Sequence, residues 1–273
     1  MIFKIYRYAI NGLLGIFRNK YYSRSTKIKL LFDYFRFAIL ALTSFFIPPP
    51  KTLTISAFNL TITHNGYSSF FFLFNEIYCA GEYKVYKNIE NCIILGAHIG
   101  LASLWYHLFN PQMKIYCFEP DKTNFRILQK NFRRNKLTNY TLFDKAVSNK
   151  TSIVDFYHID HDIYCLDSGL NLNLDLPNRT TKVQTVKISP LIKKLKRVSL
   201  LKMDIEGEEY NVIEDLISTK TILNVEHLLF ESHVFTPEDK KRLNSTLSNL
   251  KKYGRCIVYS KTTYSSKVLW NRS

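Results

Sequence analysis

The sequence predicts an α/β fold in which a mostly parallel, seven-stranded sheet carries helices on both faces, preceded by a helical N-terminal extension. Two observations predict it. Apolar runs of strand length recur near residues 92–95, 114–118, 140–143, 199–204 and 226–232 with helical patterns between them, the signature of a parallel sheet covered on both sides. The other observation is a crossover. Ile93-Ile94-Leu95-Gly96-Ala97-His98-Ile99-Gly100 reads as a buried strand entering a glycine-bounded turn, and Ile115-Tyr116-Cys117-Phe118-Glu119-Pro120 as a second strand ending in one carboxylate. The acid at the tip of the second strand of such a unit lies beside the turn, within reach of ribose hydroxyls. Glu119 stands about twenty residues beyond Gly100, the expected reach.

The chain divides into a basic, amphipathic helical extension, residues 1–50, and a Rossmann-like domain, residues 51–273. Of the net charge of +16, half sits before residue 52, where nine Lys or Arg face one acid, Asp33. The bases alternate with aromatics and aliphatics, as in Met1-Ile2-Phe3-Lys4-Ile5-Tyr6-Arg7-Tyr8. The apolar stretch from Phe37 to Ile47 is shorter than the roughly twenty residues a bilayer span needs, and Pro48-Pro49-Pro50 stops any helix. Two readings stay open for the extension: helices packed on the domain, or peripheral contact with an anionic membrane surface. Nucleic acid is the least favoured partner, because the basic clusters Arg133-Arg134-Asn135-Lys136 and Lys193-Lys194-Leu195-Lys196-Arg197 fall at expected helix ends, where cations are favourable anyway.

Leu53 to Thr63 has strand composition, and Phe70 to Tyr78 reads as a buried helix entering the domain. Between the third and fourth strands, residues 151–189 are too long for a plain helical crossover. The alternating Ile153-Val154-Asp155-Phe156-Tyr157 and Val183-Gln184-Thr185-Val186-Lys187 predict added strands forming a substrate cover. Thr236-Pro237-Glu238-Asp239 supplies an N-cap, a first-position proline and first-turn acids for a helix closed before Gly254; Arg255–Tyr259 and Lys267–Trp270 suit a closing hairpin. Five scattered cysteines without a Cys-x-x-Cys pair argue against a zinc site or a disulfide framework. With no small-residue cleavage site, the expectation is a cytoplasmic, reducing setting, with peripheral membrane contact left open.

The glycine spacing bears on the ligand. A dinucleotide site wants G-x-G-x-x-G to bring a pyrophosphate to a helix N-terminus, whereas here Ala97-His98 replaces the middle glycine. That favours S-adenosylmethionine, which carries no phosphate. Downstream, Leu200-Leu201-Lys202-Met203-Asp204-Ile205-Glu206-Gly207-Glu208-Glu209 resembles the Lys-x-Asp-x-Glu-Gly-x-Glu signature of the FkbM-type family of S-adenosylmethionine-dependent methyltransferases. In the same order the chain matches that family's Gly-Ala-x-x-Gly turn (Gly96 to Gly100), its Phe-Glu-Pro strand end (Phe118 to Pro120) and its Ala-Val-Ser (Ala146 to Ser148). Glu76-Ile77-Tyr78 and Gly81-Glu82-Tyr83 resemble its opening segment, so the likeness covers roughly residues 70–260. The resemblance implies a class I methyltransferase fold. It implies donor contacts from Gly96, Ala97, His98, Gly100, Glu119, Pro120 and Ala146, and methyl transfer to a hydroxyl on a sugar, glycolipid or secondary metabolite. The family usually has an acid where Ile94 stands and Asn where His98 stands. The alternatives are a catalytically silent binding module at a membrane or glycan-assembly complex and, less favoured, an RNA methyltransferase.

Transfer from a sulfonium is an in-line displacement needing an aligned acceptor oxygen and a proton acceptor. Lys202 and Asp204 share one strand face with Glu206 on the turn beyond, a costly charged series for an apolar strand. The reading gives Asp204 to orienting donor or acceptor, Glu206 to the turn or acceptor, and His233, ending the fifth strand, to the general base. A structural Lys202–Asp204 ion pair and a strand-capping histidine are the plain alternatives. His158, Asp160, His161 and Asp162 read as a solvated loop, and no metal is expected.

Overall fold

The computed structural model describes residues 2–44, 46–158, 179–234, 236–261 and 265–273. Helices α1 (Ile2–Arg18) and α2 (Arg24–Thr43) form a hairpin whose break is fixed by Ser23, its side chain accepting from the Thr26 N–H. One face of α2 enters the core through Leu30, Tyr34 and Phe37, and the Tyr67 hydroxyl donates to Phe37 O. Asp33, the one acid of the extension, is buried, accepts from the Ala57 N–H and pairs with Arg36.

The strand-like stretch at 53–63 is a hairpin, β1 (Thr52–Ile55) and β2 (Leu60–Thr63). The helix expected over 70–78 begins at Tyr67 as α3 (Tyr67–Phe74) and widens into a π-helical turn, Asn75–Cys79. There follow β3 (Asn91–Leu95), α4 (Leu101–Phe109), β4 (Lys114–Phe118), α5 (Lys122–Arg134) and β5 (Tyr140–Phe143). Before the insert comes β6 (Ala146–Val147), and the insert supplies β7 (Ser152–His158) and β8 (Arg179–Val186); the three form a separate sheet. The chain closes with α6 (Ser189–Leu195), β9 (Val198–Met203), α7 (Glu209–Ser218), a 3-10 turn at Thr221–Asn224, β10 (Val225–His233), α8 (Pro237–Lys251), β11 (Gly254–Lys261) and β12 (Ser265–Arg272). Thr236 caps α8, as the sequence predicts, and Asp239 caps it in return.

The seven-stranded sheet runs β11-β12-β10-β9-β3-β4-β5, and among its pairings only those of β12 are antiparallel. Period-two alternation divides each buried strand between two cores. Cys92 and Ile94 pack with Leu104, Trp105, Leu128 and Phe132 on one face; Ile93 and Leu95 pack with Val212, Ile213 and Phe230 on the other. Asn131 of α5, wholly buried, accepts from the Thr63 N–H and donates to Thr63 O and Ile99 O, joining the β1–β2 hairpin to the turn after β3.

Candidate active site

The C-terminal ends of β3, β4, β9 and β10 meet at one edge of the sheet, and most of the residues singled out from the sequence gather there. The turn after β3 is pinned to β4 because Gly96 and Ala97 both donate their N–H to Phe118 O, at 3.1 and 3.0 Å. Glu119 completes the union, its Oε2 accepting from the His98 N–H at 2.7 Å and its Oε1 from the Asp121 N–H at 2.9 Å. Only 5% of Glu119 is exposed. Burial pushes its pKa up to about 7, against the two backbone donors that favour the carboxylate. His98 sits at φ 48° with its Nδ1 buried and unbonded; burial lowers its pKa to about 4, so the imidazole is neutral.

The two glycines first make room for protein rather than for a ligand. Gly96 has φ 75°, and a Cβ there would fall 1.9 Å from the carbonyl oxygen of Asp204. Gly100, at φ 95°, faces Leu128 and Phe132 of α5 at 2.8 and 3.0 Å by the same measure. Both positions demand the left-handed backbone and a missing side chain. Pro120 links Glu119 to Asp121, the N-cap of α5. Ala146 lies in β6, where it packs with Phe156 and Val183 of the small sheet.

A second group surrounds the end of β9. Lys202, almost fully buried, donates from Nζ to Asp204 Oδ2 at 3.1 Å and lies over the Tyr83 ring, 5.4 Å from its centroid. His233 is held between carboxylates, with Nε2 3.3 Å from Glu206 and 4.0 Å from Asp204, and Nδ1 3.0 Å from Glu209. Burial disfavours its charged form, yet Glu206, Glu209 and Asp204 outweigh burial and hold its pKa well above the ordinary histidine value. Burial would raise Asp204 too, but Lys202 and then His233 reverse this and bring it to about 2. Glu209, wholly buried, also accepts from the Ile205 and Gly207 N–H groups at 2.9 and 2.8 Å, fixing a turn whose residues Glu206 and Gly207 have φ 52° and 100°. Behind it Lys267 of β12 pairs with Glu76 and Glu82, and with Glu231 at 3.7 Å. Burial, seconded by Glu231 and Glu82, holds Glu76 above the usual carboxylate range despite Lys267.

The Lys202–Asp204 ion pair considered from the sequence is therefore present, inside a larger network. Asp204, Glu206 and His233 come together as expected, and each offers one ligand atom within 4.8 Å of the others, a spacing that can hold a metal ion, although the sequence reading named none. In the arrangement observed, His233 ion-pairs with both acids and Lys202 engages Asp204 as well. Sequence reasoning passed over Glu209, Tyr83 and Lys267. Glu209 was legible, since it is the last acid of the Lys-x-Asp-x-Glu-Gly-x-Glu match, but nothing local to Lys267 marks it. Ile94 is fully buried and is the register partner of Lys202, so no acid from β3 meets that lysine. Of the polar run at 158–162, Asp160, His161 and Asp162 lie outside the described residues; His158 places Nδ1 3.2 Å from Asp121 and Nε2 2.8 Å from Thr181 Oγ1, tying the insert to the start of α5.

Comparison with known proteins identifies a family. The family model described as "Methyltransferase FkbM domain" matches residues 95–255, more than half of the chain. No curated protein matches the sequence. Among solved structures, a methyltransferase FkbM from Methylobacillus flagellatus KT aligns at 18% identity and TM-score 0.49, covering 71% of this chain and 46% of that one. A putative methyltransferase from Streptococcus mutans, SMU.1697c, in complex with SAH, aligns at 10% identity and TM-score 0.43, covering 69% and 91%. The present chain thus spans less than half the length of the Methylobacillus protein.

Proposed function

This chain belongs to the methyltransferase FkbM domain family, a family of S-adenosylmethionine-dependent methyltransferases, and we propose that it methylates a hydroxyl of a sugar, glycolipid or secondary metabolite. One observation carries the reading: the Glu119 carboxylate and the Gly96 turn share hydrogen bonds at the same sheet edge that holds Asp204 and Glu206. Gly96, Ala97, His98, Gly100, Glu119 and Pro120 hold the donor in this proposal, with Ala146 an outer contact. Three features fit it. Each Glu119 oxygen takes one backbone donor and keeps a lone pair for a ribose hydroxyl. The neutral His98 leaves a buried Nδ1 without a partner. Seven carboxylates (Glu76, Glu82, Glu119, Asp204, Glu206, Glu209, Glu231) surround three cations (Lys202, His233, Lys267), an excess of negative charge that suits a sulfonium.

S-adenosylmethionine supplies an electrophilic methyl group when bound. The residues around it orient the acceptor and take its proton. An acceptor hydroxyl that takes the methyl group would lose its proton, and we assign acceptance of that proton to Glu206 rather than to His233. A histidine already protonated and aimed through both nitrogens at carboxylates has no lone pair to offer. Asp204, its pKa held at about 2 by Lys202 and His233, orients the hydroxyl, and His233 holds both acids in place.

We place the enzyme at a membrane surface through residues 1–50, a reading supported by their basic, apolar composition. A second reading, a silent binding module, draws on Ile94 beside Lys202. Isothermal titration with S-adenosylhomocysteine separates the two: heat with the parent chain and a large loss with Glu119→Ala are expected, and absence of heat from the parent overturns the donor-dependent reading. Incubation with labelled donor and hydroxylated glycans or glycolipids, read by mass spectrometry, tests the acceptor class, and Glu206→Gln is expected to lose turnover while retaining donor binding.

A further inference from the structure

The packed hairpin α1–α2 leaves an unpartnered apolar stripe on its outer side. Eleven of the fifteen large hydrophobic side chains exposed among the described residues lie between Ile10 and Ile47, so the feature belongs to this hairpin and not to the surface at large. On α2 they are Ile28, Phe32, Phe35, Ile39 and Leu42, spaced four, three, four and three apart, which lines them along a single edge opposite the buried Leu30, Tyr34 and Phe37. Phe32 is 77% exposed and Leu42 76%. On α1 the same spacing gives Ile10, Leu14 and Phe17. Exposed bases flank the stripe: Arg18 ends α1, Lys20 lies in the turn after it, and Arg24 and Lys29 lie in the first part of α2. The sole acid of the hairpin, Asp33, is buried and engaged by Arg36 and Ala57.

Charge selects the occupant. A second copy of the chain would bring two wholly basic faces together, without the opposite charges that flank a stable helix pair. A nucleic acid would use the bases but leave the stripe wet. An anionic bilayer surface satisfies both, since apolar side chains enter the headgroup–acyl boundary while lysines and arginines meet lipid phosphates. No described helix is long and apolar enough to cross a membrane, so contact is in the plane of the surface. We propose that the α1–α2 hairpin docks flat on a bilayer carrying anionic lipid, through the Ile28–Leu42 stripe and the bases beside it. The proposal gives the peripheral placement above a defined face and lipid chemistry, and it is independent of methyl transfer.

The test is flotation of the full chain with vesicles of phosphatidylcholine alone and with about one-third phosphatidylglycerol. The chain is expected to float with the second and to be released by high salt. Lys20→Gln, Arg24→Gln and Lys29→Gln combined is expected to weaken partitioning roughly 100-fold, near five-fold per base, and Phe32→Ser with Leu42→Ser about ten-fold or more. All five side chains are exposed, so the variants should melt with the parent and bind S-adenosylhomocysteine as it does, which separates loss of docking from loss of fold or donor site. Equal flotation on both vesicles, or variants that float like the parent, overturns the proposal. So does a dimer in light scattering that the Phe32→Ser, Leu42→Ser variant dissociates, because the face then belongs to a second copy.

Discussion

Glu119 offers a test in which pH alone decides. Its carboxyl titrates near 4.5 in an unfolded chain and about 7 in the fold, where burial opposes the charge and the His98 and Asp121 N–H groups favour it. A folded value raised above the unfolded one contributes stability that is complete below pH 4.5 and is lost as pH rises to 7; for a group this buried the loss is about 3 kcal/mol. Donor binding runs the other way. Two ribose hydroxyls need two acceptors, which the ionised carboxylate provides and the protonated acid does not. S-adenosylhomocysteine should therefore bind with constant affinity above pH 7, about ten-fold more weakly at pH 6 and about 100-fold more weakly at pH 5. His98, at about 4, and Asp204, at about 2, titrate below this window, and His233 well above its usual value, so none of them imitates the effect. Glu76 does fall within it, and Glu119→Gln separates the two, because that variant keeps the Glu76 titration. Its affinity should be flat across pH 5–8 and roughly ten- to 100-fold below the parent at pH 8, the loss of one or two charge-assisted hydrogen bonds. Calorimetric titration at four pH values suffices. A parent Kd that does not change between pH 5 and pH 8 would refute the assignment of Glu119 to the ribose.

Three further expectations concern the scaffold of the site. Gly96→Ala places a Cβ against the Asp204 carbonyl at a left-handed position; we expect at least about 2 kcal/mol lost in urea denaturation and donor binding impaired at the same time, and an unchanged midpoint would show that the turn is not constrained as described. Glu209→Ala removes three hydrogen bonds and the acid beneath His233, so a loss of about 3–5 kcal/mol is expected, with near-parental stability the contrary outcome. Lys267→Met strands Glu76 among Glu82 and Glu231. Because Lys267 stays charged through the accessible range and Glu76 resists ionisation, the cost should be small at pH 5 and grow to about 3 kcal/mol at pH 8; a pH-independent cost would show that charge pairing is not its role.

The positions of the sheet strands were readable because each is a short apolar run between helix signals. The expected cores at 92–95, 114–118 and 140–143 fall in β3, β4 and β5 with boundaries moved by no more than one residue. The π-helical turn at Asn75–Cys79 was not readable, since its wider hydrogen bonding leaves no mark in a run of aromatic and apolar residues. At the site, residues local to a motif were recovered: Glu119 beside the turn, and Asp204 and Glu206 on one loop. What escaped was long range. Lys267 reaches Glu76 and Glu82 across 191 and 185 positions of sequence because β12 pairs antiparallel with β10 and sets Lys267 opposite Glu231. The glycines were legible as glycines but not in their reason, because the atom that forbids a Cβ at Gly96 belongs to the turn after β9, about one hundred residues downstream.

That long-range pairing also accounts for how an apolar sheet tolerates so many acids at one edge. Positions 202, 229, 231 and 267 share one face by strand register, so Lys202 and Lys267 both come up beneath Tyr83, whose ring they approach from 5.4 and 5.9 Å. Each lysine then serves carboxylates from a different part of the chain, Asp204 for one and Glu76, Glu82 and Glu231 for the other, while His233 serves Glu206 and Glu209. Three cations cannot neutralise seven carboxylates, and burial, the largest cause for both, holds Glu119 and Glu76 above their ordinary range. A ligand carrying positive charge at this edge would offset part of the excess. A donor with a sulfonium should accordingly bind more tightly than its neutral thioether product, and because this edge is buried the margin should fall only weakly as salt rises.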